Sequence, residues 1–405
     1  MRMIRVVIIH QDGLITGSAI SLMNMLKGIN QDEFKINVIL AGDGPLKHRI
    51  EDLGFSVNIV QMLGFWTAPG PRWYRRGTWL NLRSLFQRSQ IVNAVREYNP
   101  DIIHINDKAM LPAGLALKKL NIPIVQHLRS TYFSTNTRLF ARLSQRIISG
   151  YATALIGISE DEIFEFPTFP KKFVVYNSMD FRMIDAHKNA RSRIRQEFQI
   201  GDEDTLITYV GQFSKTKGAW DFIDMLSGLA RLTPFRGLRF MMVGHLPTTS
   251  RKTISRLFSW GAEDSSRILR KKLSQDNISG RVILTGFRSD VLDIMAASDI
   301  MVICNRLGAL GRQAFEAMAL GKPLVVTKGH SGHSTIVVNG ETALMVPQAN
   351  PMAMAKAVNE LLVNRDQGKR LGANAEVYAR NHFDHRNNAR KIEDIYRLLL
   401  KERNG

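Results

Sequence analysis

The chain has 405 residues, 44% of them hydrophobic and 22% charged, which excludes a wholly disordered chain, a collagen-like chain or a disulfide scaffold. At roughly 150 residues per domain, the length fits two or three domains. Fifty-five Lys and Arg against 36 Asp and Glu give a formal charge of +19, which points to anionic partners such as nucleic acid, phosphates or acidic lipid headgroups. The first ten residues, MRMIRVVIIH, hold an apolar run of only four, too short for a signal-peptide core. No run nears the roughly 18 apolar residues of a membrane span, so membrane contact is expected to be peripheral. Strands are predicted at Ile4–Ile9, Lys35–Leu40, Ser56–Val60, Asp101–Ile105, Ile122–Gln126 and Ala152–Ile158. Helical patterns alternate with them at Gly17–Ile29, Gly44–Leu53, Leu80–Glu97, Ala109–Leu120 and Arg138–Ser149. Continuous apolar strands joined by helices imply a parallel sheet covered on both faces, a doubly wound α/β domain.

The alternation stops near Asn177, and the polar stretch Asp180–Asp204, with a charged helix-like piece at Asn189–Phe198, reads as the linker. A second series follows, with strands at Thr205–Val210, Arg239–Val243, Val282–Leu284, Ile300–Cys304 and Pro323–Val326. Helices fall at Trp220–Leu232, Asp290–Ala297 and Gly311–Leu320, then three more after Pro347, the last at Asn388–Glu402. Cys304, the single cysteine, excludes an intrachain disulfide and a cysteine-cluster metal site and reads as a buried strand residue. Two Rossmann-like domains result, 1–182 and 183–385, with a terminal helix at 386–405. Ligands are expected at the carboxyl ends of the strands, in a cleft between the domains.

Two windows break the pattern. Phe65–Gln90 has five Arg, no acid and six aromatics, including three of the five Trp. It reads as a membrane-facing or lipid-acceptor loop, with Trp73 at the interface and Arg75 and Arg76 on anionic headgroups, or as a packed aromatic loop before a helix. Pro247–Gln275 has seven basic residues against Glu263 and Asp264. Nucleic-acid binding is the rival use, but no nucleic-acid module is present.

The strongest local signal is Tyr209-Val210-Gly211-Gln212-Phe213-Ser214-Lys215-Thr216-Lys217-Gly218. A strand ends at Gly211 and a helix starts near Gly218, so backbone N–H groups and the Lys215 and Lys217 ammoniums could hold a diphosphate. The alternative is an ordinary polar turn, and the spacing is not that of a P-loop. The second signal runs from Asn305 to Pro323. A buried strand enters a loop punctuated by Gly308 and Gly311, then a helix with Arg312 and Glu316. Glu316 could accept two ribose hydroxyls or be an ordinary exposed helix acid.

These segments resemble the family-four retaining glycosyltransferases of the GT-B fold. Thr16-Gly17-Ser18-Ala19 is similar to the Gly-rich turn after the first strand. Asp101-Ile102-Ile103-His104 resembles a strand of the acceptor domain, and Val174–Asp180 resembles the interdomain segment. Val282–Phe287 resembles the segment lining the nucleobase pocket; FEAMALGKPLVVT and the segment Asn339–Pro347 are the most specific matches. The resemblance implies transfer of a sugar from a nucleoside-diphosphate sugar, UDP- or GDP-linked, to a hydroxyl. The C-terminal domain would bind the donor and the N-terminal domain the acceptor, with the terminal helix crossing back to pack on the N-terminal domain, and with no cofactor and no metal. It also implies front-face departure, the leaving phosphate helping to deprotonate the acceptor.

Carried over residue by residue, the resemblance assigns catalytic roles to His127, Lys217 and Glu316. Donor binding falls to Gly17, Ser18, Gly211, Gln212, Lys215, Lys217, Phe287, Arg288, Asn305, Gly308, Gly311, Arg312 and Glu316. His127, after the strand Ile122–Gln126, would contact the donor sugar, orient the acceptor, or be a hydrogen-bonded core histidine. Arg129 is a candidate for an acidic acceptor, an acidic donor or the diphosphate. His10 lies where ligand groups belong, at the end of the first strand; His104 reads as structural. Two departures stand out: Gln212 replaces the family's phosphate arginine, and Gly308 replaces the first of its two glutamates. The reading is a cytoplasmic, membrane-peripheral glycosyltransferase extending a cell-surface polysaccharide or lipid-linked glycan, with no nucleic-acid partner. The alternatives are a non-catalytic GT-B subunit binding nucleotide or glycan, and a sugar-nucleotide epimerase.

Overall fold

The computed structural model describes residues 2–61, 88–131, 138–245, 265–274, 278–306, 310–329 and 335–404. The chain divides into two compact units, one containing Met1–Asp180 and His382–Gly405, the other Phe181–Gly329 and Thr335–Asn381.

The first unit is built on seven strands: β1 Ile4–His10, β2 Phe34–Leu40, β3 Ser56–Ile59, β4 Ile102–Ile105, β5 Ile124–Leu128, β6 Ala154–Gly157 and β7 Lys172–Val174. They pair parallel in the order β3-β2-β1-β4-β5-β6-β7. Successive strand side chains point to opposite faces, so a sheet covered on both sides needs apolar residues throughout. Val7, Ile9, Ile103 and Ile105 pack under the helices Arg88–Glu97, Leu111–Leu117 and Arg138–Tyr151. Their neighbours Val6, Ile8 and Ile102 pack against Gly17–Gly28, Pro45–Glu51 and the terminal helix His385–Asn404.

That terminal helix is part of the core. Ala389, Ile392, Ile395, Tyr396 and Leu399 are buried among residues of β1, β2 and the first helix. Gly28 permits the close approach: a Cβ there would lie 2.4 Å from the carbonyl oxygen of His385. Arg397 forks onto Glu33 at 2.8 and 2.6 Å, and Glu393 accepts the backbone N–H of Asn30 at 2.7 Å.

The second unit has six parallel strands: β8 Thr205–Val210, β9 Leu238–Val243, β10 Val282–Gly286, β11 Ile300–Ile303, β12 Leu324–Thr327 and β13 Leu344–Val346. Their order is β10-β9-β8-β11-β12-β13. Ile207, Tyr209, Phe240 and Val302 face the helices Ala219–Leu229 and Pro351–Val363. Leu206, Met241 and Val243 face Ile194, Ile294 and Ala297 on the other side. The linker expected at Asp180–Asp204 is itself helical, Phe181–His187 and Arg191–Glu197, and belongs to this unit.

Candidate active site

In each sheet the strand order reverses once, between β1 and β4 and between β8 and β11. The crevice outside the carboxyl ends of strands at such a switch is where α/β sheets bind ligands.

In the second unit the segment after β8 forms a tight loop. Tyr209 sits beneath it and donates its hydroxyl toward the carbonyls of Gln212, at 3.0 Å, and Lys217, at 3.1 Å. Ser214 Oγ accepts the Lys217 N–H at 3.4 Å. Gly218 has φ of +74°, and a Cβ there would sit 1.6 Å from the Cys304 carbonyl oxygen, so only glycine lets the loop close on the end of β11. The Arg306 N–H reaches the Thr216 carbonyl at 3.0 Å, locking the loops after β8 and β11 together.

The side chains here divide into neutralised and unneutralised charges. Arg306 is paired with Asp221 in the helix after the loop. Lys217 is half-buried, and its ammonium has no hydrogen-bond or carboxylate partner among the described residues. Burial pushes its pKa below the usual lysine value. Gln212 and Lys215 are exposed beside it, and Gly211 starts the loop. Arg312 Nε donates to Glu316 Oε1 at 2.7 Å, so one carboxylate oxygen is oriented within the helix Arg312–Ala319, which begins after Gly311. The backbone carbonyl of Asn305 accepts the Thr327 hydroxyl at 2.8 Å. Phe287, at the end of β10, is 76% exposed and meets the His245 ring edge-on at 6.2 Å. Gly308 lies outside the described residues, as do Trp73, Arg75 and Arg76.

Arg288 is a paired cation: its guanidinium donates to Glu197 at 2.6 and 3.1 Å and to Asp290 at 2.8 and 2.7 Å. It clamps two parts of the unit. A cavity of about 470 Å³, lined by Thr205, Ile300, Lys322 and Pro323, opens at the amino ends of the strands, the edge opposite the Gly211 loop.

In the first unit, Gly17 and Ser18 open the helix after β1. Thr16 caps it, accepting the Ala19 N–H, and Ser18 Oγ lies 3.0 Å from Thr16 Oγ1. His10 ends β1, fully buried. Its Nδ1 is 2.9 Å from Asn106 Nδ2. Asn106 Oδ1 accepts Arg129 Nε at 2.8 Å and Nη2 at 2.7 Å, which fixes the amide so that Nδ2 donates to His10. Neutral His10 therefore carries its proton on Nε2, and that buried N–H has no acceptor among the described residues. Arg129 Nη1 also reaches Asn177 Oδ1 at 3.3 Å, which accepts Ser21 Oγ at 2.9 Å.

His127 lies within β5 rather than after it, because the strand extends to Leu128. It is buried, with Nδ1 3.2 Å from His104 Nε2 and with Nε2 unpartnered among the described residues. His104 Nδ1 is in turn 2.6 Å from the Tyr396 hydroxyl. Burial, with the nearby Arg129 charge, holds His10 and His104 down to about 3 and His127 well below the usual histidine value, so all three are neutral at pH 7. Sequence reasoning missed Asn106 and Tyr396. Asn106 had a signal, since it follows β4 at the strand-order switch; Tyr396, 292 residues from its partner, had none.

Two Rossmann-like units, each with polar groups gathered at the carboxyl edge of its sheet, define the GT-B class of glycosyltransferases. The sequence matches Glycosyltransferase Family 4 over residues 15–180 and Glycosyl transferases group 1 over residues 190–378, and the chain belongs to this glycosyltransferase family. It is 23% identical to the N-acetyl-alpha-D-glucosaminyl L-malate synthase of Bacillus anthracis over 232 residues, which is 57% of this chain and 55% of that protein. It is 23% identical to YtcC of Bacillus subtilis over 343 residues, covering 80% and 79% of the two chains. The fold is shared with Anabaena HepE, solved with UDP and glucose, at a TM-score of 0.75, 21% identity and coverage of 97% and 99%. It is also shared with WaaG, a glycosyltransferase involved in lipopolysaccharide biosynthesis, at 0.67, 15% identity and the same coverage.

Proposed function

We propose that the chain is a retaining, metal-independent glycosyltransferase that moves a sugar from a UDP- or GDP-sugar to a hydroxyl of a glycan or lipid-linked acceptor. The observation that carries it is Lys217. A half-buried ammonium with no carboxylate partner among the described residues, beside a helix N-terminus, is a site prepared for an anion. A diphosphate fits it on the strength of the ammonium, since the N–H groups of Gly211, Phe213, Ser214, Lys217 and Gly218 already donate within the protein. Glu316, oriented by Arg312, has a second oxygen for ribose hydroxyls, and Phe287 offers an exposed ring for a base. In the first unit the Nε2 groups of His10 and His127 would meet oxygens of sugar or acceptor. In the reaction the bond from the sugar C1 to the diphosphate oxygen breaks and one to the acceptor oxygen forms. The acceptor proton passes to the departing diphosphate. Lys217 stabilises the charge that develops on that leaving group. The charge of +19 supports action at an anionic cytoplasmic membrane face, in the synthesis of a cell-surface polysaccharide. HepE bound to UDP and glucose supports the donor class by likeness of fold.

Calorimetric titration with UDP, GDP, ADP and CMP, without metal and then with Mg²⁺, tests the donor site. Metal-free binding of one nucleoside diphosphate, lost in Glu316→Ala, is expected. Lys217→Ala is expected to cost transfer about 2–4 kcal/mol, the scale of one charge-stabilising donor. If no nucleotide binds, the non-catalytic alternative motivated by Gln212 and Gly308 replaces this reading.

A further inference from the structure

Tyr396, His104 and His127 form a continuous buried line from the terminal helix to the carboxyl edge of the sheet. Among the described residues the Tyr396 hydroxyl makes a single hydrogen bond, to His104 Nδ1 at 2.6 Å. The His104 ring stands edge-on to the tyrosine at 88° and passes its other nitrogen to His127 Nδ1 at 3.2 Å. All three side chains are buried. The line can run in two directions. If His104 donated to Tyr396, the phenolic proton would have no acceptor in the core, and His127 would end the line as a bare acceptor. If Tyr396 donates, its proton is satisfied, His104 must carry its own proton on Nε2, and His127 must accept at Nδ1. The second direction leaves one unpaired group, the His127 Nε2–H, at the ligand edge of β5, where a substrate oxygen can satisfy it.

We propose that Tyr396 is a positioning residue that acts through His104 to fix His127 as the Nε2–H tautomer. The first unit then presents His127 as a hydrogen-bond donor rather than as a base. The role in turnover rests on the reading of His127 as a substrate contact; the tautomer itself does not. Burial and the Arg129 charge keep both imidazoles neutral, so the line holds one protonation state across physiological pH. The helix is held rigidly enough to serve: Arg397 is forked onto Glu33 one residue beyond Tyr396, and the tyrosine ring packs against Phe34 at 5.9 Å.

The test uses the full chain labelled with ¹⁵N in its histidine rings and long-range ¹H–¹⁵N correlation spectra. His127 should show a protonated Nε2 and an unprotonated Nδ1. Tyr396→Phe removes only the hydroxyl and should convert the His127 signals to a tautomer mixture. In turnover the same variant should lose about tenfold in kcat with donor KM unchanged, less than the roughly hundredfold expected for deleting a donor itself. His104→Phe, which breaks the line at its middle, should match it, and the double variant should lose no more than either single change, because the two act in series. An Nδ1–H signal for His127 in the wild type overturns the proposal without any variant, as does an unchanged tautomer in Tyr396→Phe. A changed tautomer with unchanged kcat overturns the role in the reaction. If the wild type transfers no sugar at all, the proposed activity fails while the spectra still decide the relay.

Discussion

The local placement of Lys217 and Glu316 was legible because their neighbours in sequence are their neighbours in space: a loop of eight residues and one helical turn set both. The pairing of Arg288 was not legible, because its partner Glu197 lies 91 residues away. The buried titratable groups give the residue scale its own pH dependence. His10 and His104 have folded pKa values lowered to about 3, against the ordinary 6.5. The unfolded chain takes up those protons below pH 6.5 and the folded one does not, so their stability contribution is full above 6.5 and is lost as pH falls toward 3. At pH 5 the loss is about 2 kcal/mol for each. Glu162 works in the opposite direction. Buried with Asp161 and Glu165 near it, it is pushed up to about 8, and it keeps the Ser159 hydroxyl at 2.6 Å. Its contribution is full below pH 4.5 and is lost as pH rises through 8. Urea unfolding across pH 5 to 9 should therefore show stability falling on both sides. Because Glu162 acts from pH 4.5 to 8, Glu162→Gln should flatten the fall between pH 6.5 and 8 and steepen the acid limb below 6.5; an unchanged fall above pH 6.5 would remove Glu162 as its cause.

Elements were read well wherever both sheet faces demand apolar residues, since a run such as Val6–Ile9 can be little else. The edge strands β7 and β13 were not read, because three residues carry no period. The packing of one element's end on another was also invisible, and Gly218 shows why it matters. Its helix begins with the loop pressed onto the Cys304 carbonyl, at a φ that a side chain rarely adopts. Gly218→Ala must push the Gly211–Lys217 loop away from β11. A stability loss of about 1–3 kcal/mol is expected, together with weakened nucleoside-diphosphate binding. Gly42→Ala is the control, since nothing lies within 4 Å of a Cβ there; it should leave nucleotide affinity unchanged. Denaturant midpoints and nucleotide titration of the two variants check the argument. Equal affinities in both would mean that the loop position does not set the anion site.

At the scale of the whole molecule the chain is not a sequence of independent pieces. The first unit is completed by residues that follow the second. Ile392, Ile395, Tyr396 and Leu399 fill the face of β1 and β2 that the first helix leaves open. At about 1.5–3 kcal/mol for each buried large side chain, these four contribute roughly 6–12 kcal/mol, comparable to the entire stability of a typical domain. Among the described residues, the sheet faces of the second unit are covered by helices lying between Phe181 and Asn381. Truncation after Asn381 should therefore leave the second unit folding cooperatively while the first loses fixed tertiary packing. Near-ultraviolet circular dichroism and hydrogen exchange resolved by segment would show protection kept in β8, β9 and the helix Pro351–Val363 and lost in 4–40. Adding the peptide 382–404 in trans should restore protection in β1 and β2 at a concentration set by its affinity. An intact first unit without the helix would mean that β1, β2 and the Gly17–Gly28 helix suffice by themselves. The Gly211–Lys217 loop and the histidine line would then be separable in stability as well as in sequence.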